Sequence, residues 1–597
     1  MKGVLLIILT CISLSVTGQT KVVFFLERWI ISENELGRSL DFNVVYQEYL
    51  SINFTNTDFY NQQKWSQFFF LNAHELNQIK MYLEAYKGER SIAFLNTLKD
   101  FSREKAYLIR HKVMDGNSDN KTMSTKQYFT SYIGIPHLND SGVFKNRNRI
   151  QITHPRFQFI LQSEKDVSEQ SVLDFMSGGY KFRKDKTIWY LGDYTAQFGL
   201  GGALYQGYQY TSLAQVNSVL TNGFKLHTGS EENRYFRGVA LEYQMNKHHK
   251  LNLFLSANNV DSKHDENGVI RLFSDGIHVT NTDRLEKNSM RLIHAGASHY
   301  IHMDHFKINT LGYVVQFRPL EYHENSHQEN QLSFSNTIAY HNSRIHVANE
   351  LNVDQFKYWS NITNLRWYLG KSFYLKSYLG LENDKYINRF KKIPKSYSVP
   401  ETFYGYRLES LGKNTQVHFS FHTAKKLENR YHKLYNYRIS INHKLKQKSI
   451  IQYRASFRDK MILNGLQLEQ TNVLRTRLSY LVQKRGLWSW RQSIFIKYGE
   501  PLESGIAYSM QYTFKMLTYD FRIGGVFFSQ NKGAFYIYES DVLSSGYTRG
   551  IFNSGSLYYI MIKKRFRNLF IYGKLRVSQL PAQTEVACTF GLKYKFQ

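Results

Sequence analysis

The residues of this sequence best suited to chemistry are Arg and Lys, because many of them lie at every second position of segments in the C-terminal half. The chain carries 77 Lys and Arg against 48 Asp and Glu, a formal net charge of +29. The candidate binding residues, which share one face of the predicted strands, are Arg438, Arg454, Arg458, Arg475, Arg477, Arg491, Lys497, Lys574, Arg576, Lys593 and Lys595. Such a surface favours anions, such as phosphorylated glycolipid, an anionic polymer or an acidic protein segment.

Acidic residues that we place on the same face are fewer, namely Glu242, Asp520 and Glu585. If the predicted strands close into a barrel, this face lines its interior. The interior wall of the C-terminal half is therefore predicted to be basic. For these basic residues we favour a structural role over anion binding, in which Arg and Lys pair with loop carboxylates inside a plugged barrel, because structural ion-pair networks are common in barrels.

A glycine-rich stretch, Gly199–Gly202, resembles a nucleotide-binding loop in its glycines alone. The third spaced glycine and the Gly-Lys-Ser/Thr ending are absent, and no helix follows. We therefore predict a bend or turn there, and no cofactor site.

Histidines are numerous, 21 in all, without a metal-ligand spacing such as His-Glu-x-x-His. The clustered ones are His248-His249, His302 with His305, and His323 with His327. We predict no metal site and assign no catalytic residue. An enzyme remains an alternative, because catalytic pairs assembled from different strands are invisible in one sequence.

Composition excludes several classes of protein. The chain has 597 residues, 16% aromatic, with 44 Tyr and 42 Phe but 7 Pro and 2 Cys. This aromatic content excludes long disorder, and the cysteine count excludes a disulfide framework or a Cys-rich zinc module. No run of about 18 apolar residues follows the N-terminus, which excludes a helical membrane bundle. A chain this long predicts two units, or one very large one.

The first 18 residues predict a cleaved export signal. Lys2 precedes the apolar run Val4–Leu9, and small residues follow up to Gly18, after which we expect cleavage. A lipoprotein site at Cys11 is the less favoured alternative, because Thr10 precedes it within the apolar run. Only Cys588 would remain in the mature chain.

From residue 117 to 597 the apolar period is two. In one hairpin Ile506, Tyr508 and Met510 alternate with Ala507 and Ser509. Strands of about ten residues joined by tight turns predict a mainly β fold, a large antiparallel transmembrane β-barrel of roughly 18–24 strands. A soluble sandwich, propeller or solenoid is the alternative, but no internal period of about 20–50 residues is present.

The last strand and the loops fit this prediction. Val586 to Phe596 alternate up to a terminal aromatic, with Cys588 on the lipid side. The candidate long outward loops are 259–288, 319–330, 383–402 and 530–553. The tryptophans expected in interfacial girdles are Trp189, Trp367, Trp488 and Trp490.

Residues 19–116 read as a small all-α domain. Leu71, Leu76, Ile79 and Leu83 recur at helical spacing, and Glu75 could complete a capping box. The stretches 52–86 and 94–110 resemble tandem helix-hairpin-helix units of the competence-protein type, which implies phosphate contacts at Gly-rich turns. The matching turns, Phe-Phe-Leu-Asn and Lys-Asp-Phe-Ser, contain no Gly. A packing or docking module is therefore favoured over nucleic-acid binding.

A second resemblance covers the start of the barrel. Glu164–Asp166, Asp174–Tyr180, Leu191–Tyr194 and Phe198–Gly201 follow in order. This series is similar to the barrel start of a Bacteroidota outer-membrane family whose members begin with a helix-hairpin-helix region. The resemblance implies a fold and an outer-membrane location, and no activity. The glycines would allow strand curvature, and the acidic residues could pair with basic lumen groups.

Together these features predict an outer-membrane barrel for passage of anionic cargo or for envelope assembly and export. The helical domain would be a periplasmic plug or docking module. The expected partners are outer-membrane lipid, including lipopolysaccharide, and an envelope protein bound through residues 19–116. DNA uptake through the helix-hairpin-helix region and an enzyme with a rim active site are the alternatives.

Overall fold

The computed structural model describes the barrel strands and parts of the helical region. The described residues are 65, 68, 71, 73–85, 94–95, 98, 105–106, 108–109, 126–135, 145–165, 175–206, 221–229, 232–264, 270–272, 286–303, 305–319, 329–342, 344–369, 373–386, 388, 390, 401–411, 415–426, 433–446, 449–464, 467–484, 488–500, 503–516, 519–530, 535–540, 546–551, 554–566, 569–581 and 583–596. The predicted signal peptide, residues 1–18, lies outside them.

One helix and 29 strands are assigned in this part of the chain. The helix and the first fourteen strands are α1 (Ala73–Ala85), β1 (Lys126–Ile135), β2 (Lys145–Thr153), β3 (Phe157–Lys165), β4 (Phe175–Lys184), β5 (Thr187–Gly199), β6 (Thr221–Leu226), β7 (Phe236–Gln244), β8 (His249–Val260), β9 (Ser262–His264), β10 (Ile270–Leu272), β11 (Met290–His302), β12 (Phe306–Pro319), β13 (Glu329–His341) and β14 (Ile345–Asp354). The remaining strands are β15 (Trp359–Tyr368), β16 (Phe373–Glu382), β17 (Glu401–Leu411), β18 (Thr415–Lys426), β19 (Lys433–Lys446), β20 (Ser449–Asn464), β21 (Gln467–Lys484), β22 (Trp488–Glu500), β23 (Glu503–Met516), β24 (Tyr519–Gln530), β25 (Phe535–Ser540), β26 (Gly546–Ile551), β27 (Gly555–Phe566), β28 (Leu569–Leu580) and β29 (Gln583–Phe596).

The large sheet closes on itself. Each wall strand pairs antiparallel with its neighbours, and β1 pairs with β29 from Gln127↔Phe596 to Ile135↔Cys588. Of the 25 strands in this sheet, 24 form the ring, and β6 pairs only with the end of β5. The short pairs β9–β10 and β25–β26 lie in loops. The predicted fold class and strand number are confirmed.

The two faces of the wall differ as the period of two predicts. Along β8, buried and exposed side chains alternate, with Leu253 and Leu255 exposed and Phe254 buried. Tyr437 and Phe590 are 40% and 58% exposed, so they are not sealed in a dry core. The residues that alternate with these exposed apolar side chains are polar or buried, and they lie on the inner face of the wall. An apolar outer face around a closed sheet is the arrangement that a bilayer requires.

The two ends of the barrel differ in loop length. The short connections 342–344, 447–448 and 567–568 join strands at one end, here called the short-turn end. The segments 261–289, 320–328, 383–400 and 531–554 all join strands at the other end, the long-loop end. The predicted long loops therefore share one end, which usually faces outward.

The four tryptophans predicted for an interfacial girdle lie together. Trp189, Trp367, Trp488 and Trp490 are within a few residues of turns at the short-turn end. The register places each on the outer face, and Trp189 and Trp367 are exposed. Their position fits one interfacial belt.

The described helical residues form a small apolar cluster. Ile79 and Leu83 of α1 are buried, and the Tyr82 and Phe94 rings stack at 4.1 Å. Glu75, expected in a capping box, accepts hydrogen bonds from the Lys105 ammonium at 2.7 and 3.0 Å. The two predicted apolar segments thus contact each other, while the helix-hairpin-helix arrangement stays a prediction. No helix among the described residues is long and apolar enough to cross a membrane.

The opposite faces of β23 allow a matched stability test. Met510 is exposed on the outer face in mid-strand, and Ser509 is on the inner face. We expect Met510→Arg to lower the free energy of unfolding by about 2–4 kcal/mol, because it buries a charge in hydrocarbon. Ser509→Arg should cost much less. Urea unfolding in phospholipid vesicles measures both, and equal losses would contradict the assignment of the faces.

Candidate functional site

The strand β5 leaves the barrel wall halfway along its length. Its first half, up to Tyr194, pairs with β7, and its second half, from Tyr194 to Gly199, pairs with β6. Gly192 allows the bend: its φ is +85°, and a Cβ there would lie 2.3 Å from the Gly178 carbonyl oxygen. We call residues 194–206 and 221–226 the luminal hairpin.

Apolar packing places this hairpin inside the barrel. Phe198 and Phe224 pack in one buried cluster with Phe254 and Tyr313, which point inward from β8 and β12. Phe198 is 1% exposed. Part of the lumen is therefore filled by the chain itself, in a dry, aromatic core.

The tip of the hairpin binds a carboxylate from β14, six strands further round the ring. The N–H groups of Leu200, Gly202 and Ala203 donate to the Glu350 carboxylate at 2.5, 3.1 and 2.9 Å. The Ser335 hydroxyl donates to it as well, at 3.3 Å. Backbone N–H groups that converge in this way form an anion-binding concavity. The predicted turn at Gly199–Gly202 is confirmed, and the anion that it holds is the protein's own.

Glycine is required in this tip for two reasons. Gly199 and Gly201 have φ values of +63° and +92°, which L side chains rarely adopt. Gly202 is in close contact instead, because a Cβ would lie 2.5 Å from Asn352 Nδ2 and 2.8 Å from Ile362 Cδ1. The glycines thus allow the backbone of the hairpin tip to come within hydrogen-bond distance of the Glu350 carboxylate.

Part of the predicted outward loop 383–402 turns into the lumen. Asn388 is fully buried and donates to the Ala203 carbonyl at 2.8 Å, and Tyr313 donates to the same oxygen at 3.1 Å. The Tyr205 N–H donates to the Phe390 carbonyl at 2.9 Å. Asn388 Nδ2 also donates to the Tyr386 hydroxyl at 3.2 Å. Burial raises the pKa of this hydroxyl well above its ordinary value, so it stays neutral. This segment and the luminal hairpin form one hydrogen-bonded unit.

The predicted basic residues lie on the inner face. The register puts all eleven positions, from Arg438 to Lys595, on the face opposite the exposed apolar side chains. The Lys595 side chain lies outside the described part of the chain. Lys497, Lys574, Lys593 and Arg491 are buried there. We call these eleven residues, with Arg407 of β17, the basic wall.

The basic wall contains a row of cations across neighbouring strands. Arg438 is opposite Ser456, Ser456 is opposite Arg475, and Arg475 is opposite Lys497. Because strands lie about 4.8 Å apart, Arg438 and Arg475 are separated by roughly 10 Å between their Cα atoms. The row continues on the other side of Arg438. Arg438 is opposite Ser420, and Ser420 is opposite Arg407.

A second row runs beside the first. Arg454 and Arg477 are directly opposite each other on β20 and β21. The Arg477 guanidinium also lies over the Phe495 ring, 4.8 Å from its centroid. Further round the barrel the Lys574 ammonium lies 5.4 Å from the Tyr559 centroid, and Arg576 is the cross-strand partner of Tyr559. Cations on this wall are thus interleaved with serines and aromatic rings.

Acidic residues on the inner face are more numerous than predicted. Glu242 is bonded to Lys250 at 3.3 Å and Asp520 to Lys515 at 3.5 Å, and Glu585 is opposite Ser578. The prediction missed Glu350 and Glu409 among others. The signal that could have found them is their alternation with outward-facing apolar residues of the same strand.

Two acidic residues near the start of the barrel, Glu164 and Asp193, were expected to pair with basic groups in the lumen, and the structure confirms this for only one of them. Glu164 lies 3.7 Å from Arg147 on the inner face, as predicted. Asp193 instead forms a bidentate pair with Arg237, at 2.7 and 2.9 Å, on the outer face. The prediction of a lumen partner for Asp193 is wrong, because Asp193 shares the outward parity of Trp189 and Leu191 on β5 and is opposite Arg237.

The described residues contain no group of three His, Cys, Asp or Glu side chains placed to hold a metal ion. His249 and His299 approach within 3.1 Å between ring nitrogens, but on the outer face. The His323 and His327 pair lies outside the described residues.

Glu350→Gln tests the attachment of the luminal hairpin. The change removes the negative charge that accepts three N–H bonds, and each hydrogen bond to a charged group contributes about 1.5–3 kcal/mol. We expect amide exchange of residues 199–206 to accelerate about tenfold or more. Glu409→Gln is the control, because Glu409 contacts Arg407 and His418 rather than the hairpin. Unchanged exchange in a folded Glu350→Gln protein would show that the carboxylate does not hold the hairpin.

Comparison with known proteins finds similarity in structure alone. No protein-family model matches the chain, and no curated protein sequence matches it. It is similar to the siderophore receptor PirA from Pseudomonas aeruginosa, with a TM-score of 0.43 and 10% identity over 80% of this chain and 81% of that one. It is also similar to the copper transporter OprC (TM-score 0.40, 7% identity, 79% and 83% covered) and to the P pilus usher PapC translocation pore (TM-score 0.35, 8% identity, 79% and 99% covered).

Proposed function

We propose that this protein resides in a bacterial outer membrane and passes anionic cargo along its basic wall. The supporting observation is that Arg458 and Arg475 are exposed although both point inward. Water therefore reaches this side of the lumen. A wetted row of guanidinium groups attracts anions and repels cations, because the surrounding protein focuses the field.

Residence in a membrane is supported by the wall itself. Every strand of the ring is hydrogen-bonded to a neighbour on both sides, and large apolar side chains cover the outer face. An outward apolar surface of this extent would not stay dispersed in water. The proposed orientation puts the long-loop end outside the cell and the short-turn end, with the predicted helical domain, in the periplasm.

The luminal hairpin would act as the constriction of this passage. It fills the side of the lumen lined by β5 to β14, while the basic wall lies on β17 to β29. Cargo would move along the cationic side, past the tip held by Glu350. Export of an envelope component along the same wall is the related role, and the helical domain would then dock a periplasmic partner.

Ion selectivity in planar bilayers tests the passage. A variant with residues 195–225 replaced by a short Gly-Ser turn should conduct, and its reversal potential in a KCl gradient should show preference for chloride. Adding Arg438→Gln and Arg475→Gln should reduce that preference severalfold, because two exposed or half-buried cations leave the passage.

The matched control carries Lys184→Gln and Lys564→Gln, which remove two charges from the outer face. We expect that variant to keep the preference for chloride. A barrel without the hairpin that remains closed, or that selects cations, would contradict anion passage.

A further inference from the structure

Two arginines on the outer face lie directly opposite each other at the long-loop end. Arg291 of β11 is the cross-strand partner of Arg318 of β12, and both side chains are exposed. Directly opposed residues of an antiparallel pair have Cα atoms about 4.5–5.5 Å apart. Like charges in this position destabilise a sheet unless an anion lies between them.

A third arginine at the same end and on the same face provides the contrast. Arg237 holds Asp193 in a bidentate pair. Among the described residues, neither Arg291 nor Arg318 has a carboxylate within ion-pair distance. Arg318 Nε donates to Gln316 Oε1 at 2.8 Å, which orients the guanidinium without neutralising it.

The surface around the pair is polar at the level of the pair and apolar towards mid-barrel. Asn259, opposite Arg291 on β8, is exposed. Towards the middle of the wall come Leu255, Val314 and Phe334, which are 57%, 39% and 54% exposed on the same face. A ligand seated here would place an anionic head on the arginines and apolar chains along the wall.

We infer that Arg291 and Arg318 form a binding site for the phosphorylated headgroup of an outer-leaflet glycolipid. The planar guanidinium fork matches phosphate oxygens, and two forks facing each other suit a doubly charged group. A lipid is favoured over free phosphate because the site is continuous with the hydrocarbon-facing wall. The inference rests on the proposed residence in an outer membrane, with the long-loop end outward.

The test uses the full chain in phosphatidylcholine nanodiscs with and without bis-phosphorylated lipid A. A ligand that binds the folded state raises the thermal midpoint. We expect lipid A to raise it for the native sequence. Arg291→Gln with Arg318→Gln should weaken apparent lipid A affinity about tenfold or more, because charge-assisted contacts are lost. The control Lys184→Gln with Lys564→Gln, on the outer face at the opposite end, should keep the full shift.

Two further arms identify the ligand. Dephosphorylated lipid A should lose most of the shift, and inorganic phosphate at equal phosphate concentration should produce none. An equal shift in the double arginine variant, or the same shift with inorganic phosphate, would overturn the inference. A barrel that conducts anions selectively but shows no lipid A shift would refute this site alone. A barrel that binds lipid A but selects cations would refute only the proposed passage.

Discussion

The pairing of backbone N–H and C=O groups between neighbouring wall strands is the constraint on which this structure depends. Hydrocarbon offers no water to an unpaired strand edge, so a sheet can cross a bilayer only when it closes. Here β1 pairs with β29 and leaves the ring without an edge. Closure also sets the face of each residue, because a slip of one position would turn apolar side chains inward.

A ring of 24 strands encloses more space than wall side chains can fill. The chain fills part of it with its own luminal hairpin, which brings backbone polar groups into a dry core. Those groups need partners there, because an unpaired buried amide or carbonyl is costly. Glu350, Asn388 and Tyr313 supply them. Cations line another side of the lumen, where Arg458 and Arg475 are exposed.

The same residue type therefore has different surroundings on the two faces. Arg475 lies in a wetted interior beside other cations, whereas Arg291 and Arg318 lie at the edge of an apolar belt. In the proposed passage, a row of guanidinium groups would bind a moving anion repeatedly and weakly. Outside, two opposed forks can hold one anionic head while lipid chains cover the wall. Strand parity alone assigns each arginine to one of these environments.

Much of the fold followed from the sequence, because a side-chain period of two and about ten residues per strand are local properties. The barrel, its strand number, the outer position of Phe590 and Tyr437, and the shared end of the long loops were all predictable in this way. The inward face of Arg438 and Arg475 was predictable for the same reason. Only the tertiary structure decided what fills the lumen, because the contact between Leu200 and Glu350 spans 150 positions and leaves no local pattern. It also decided that Asp193 pairs outside the lumen and that Arg291 is opposite Arg318, since both depend on which strands become neighbours when the sheet closes.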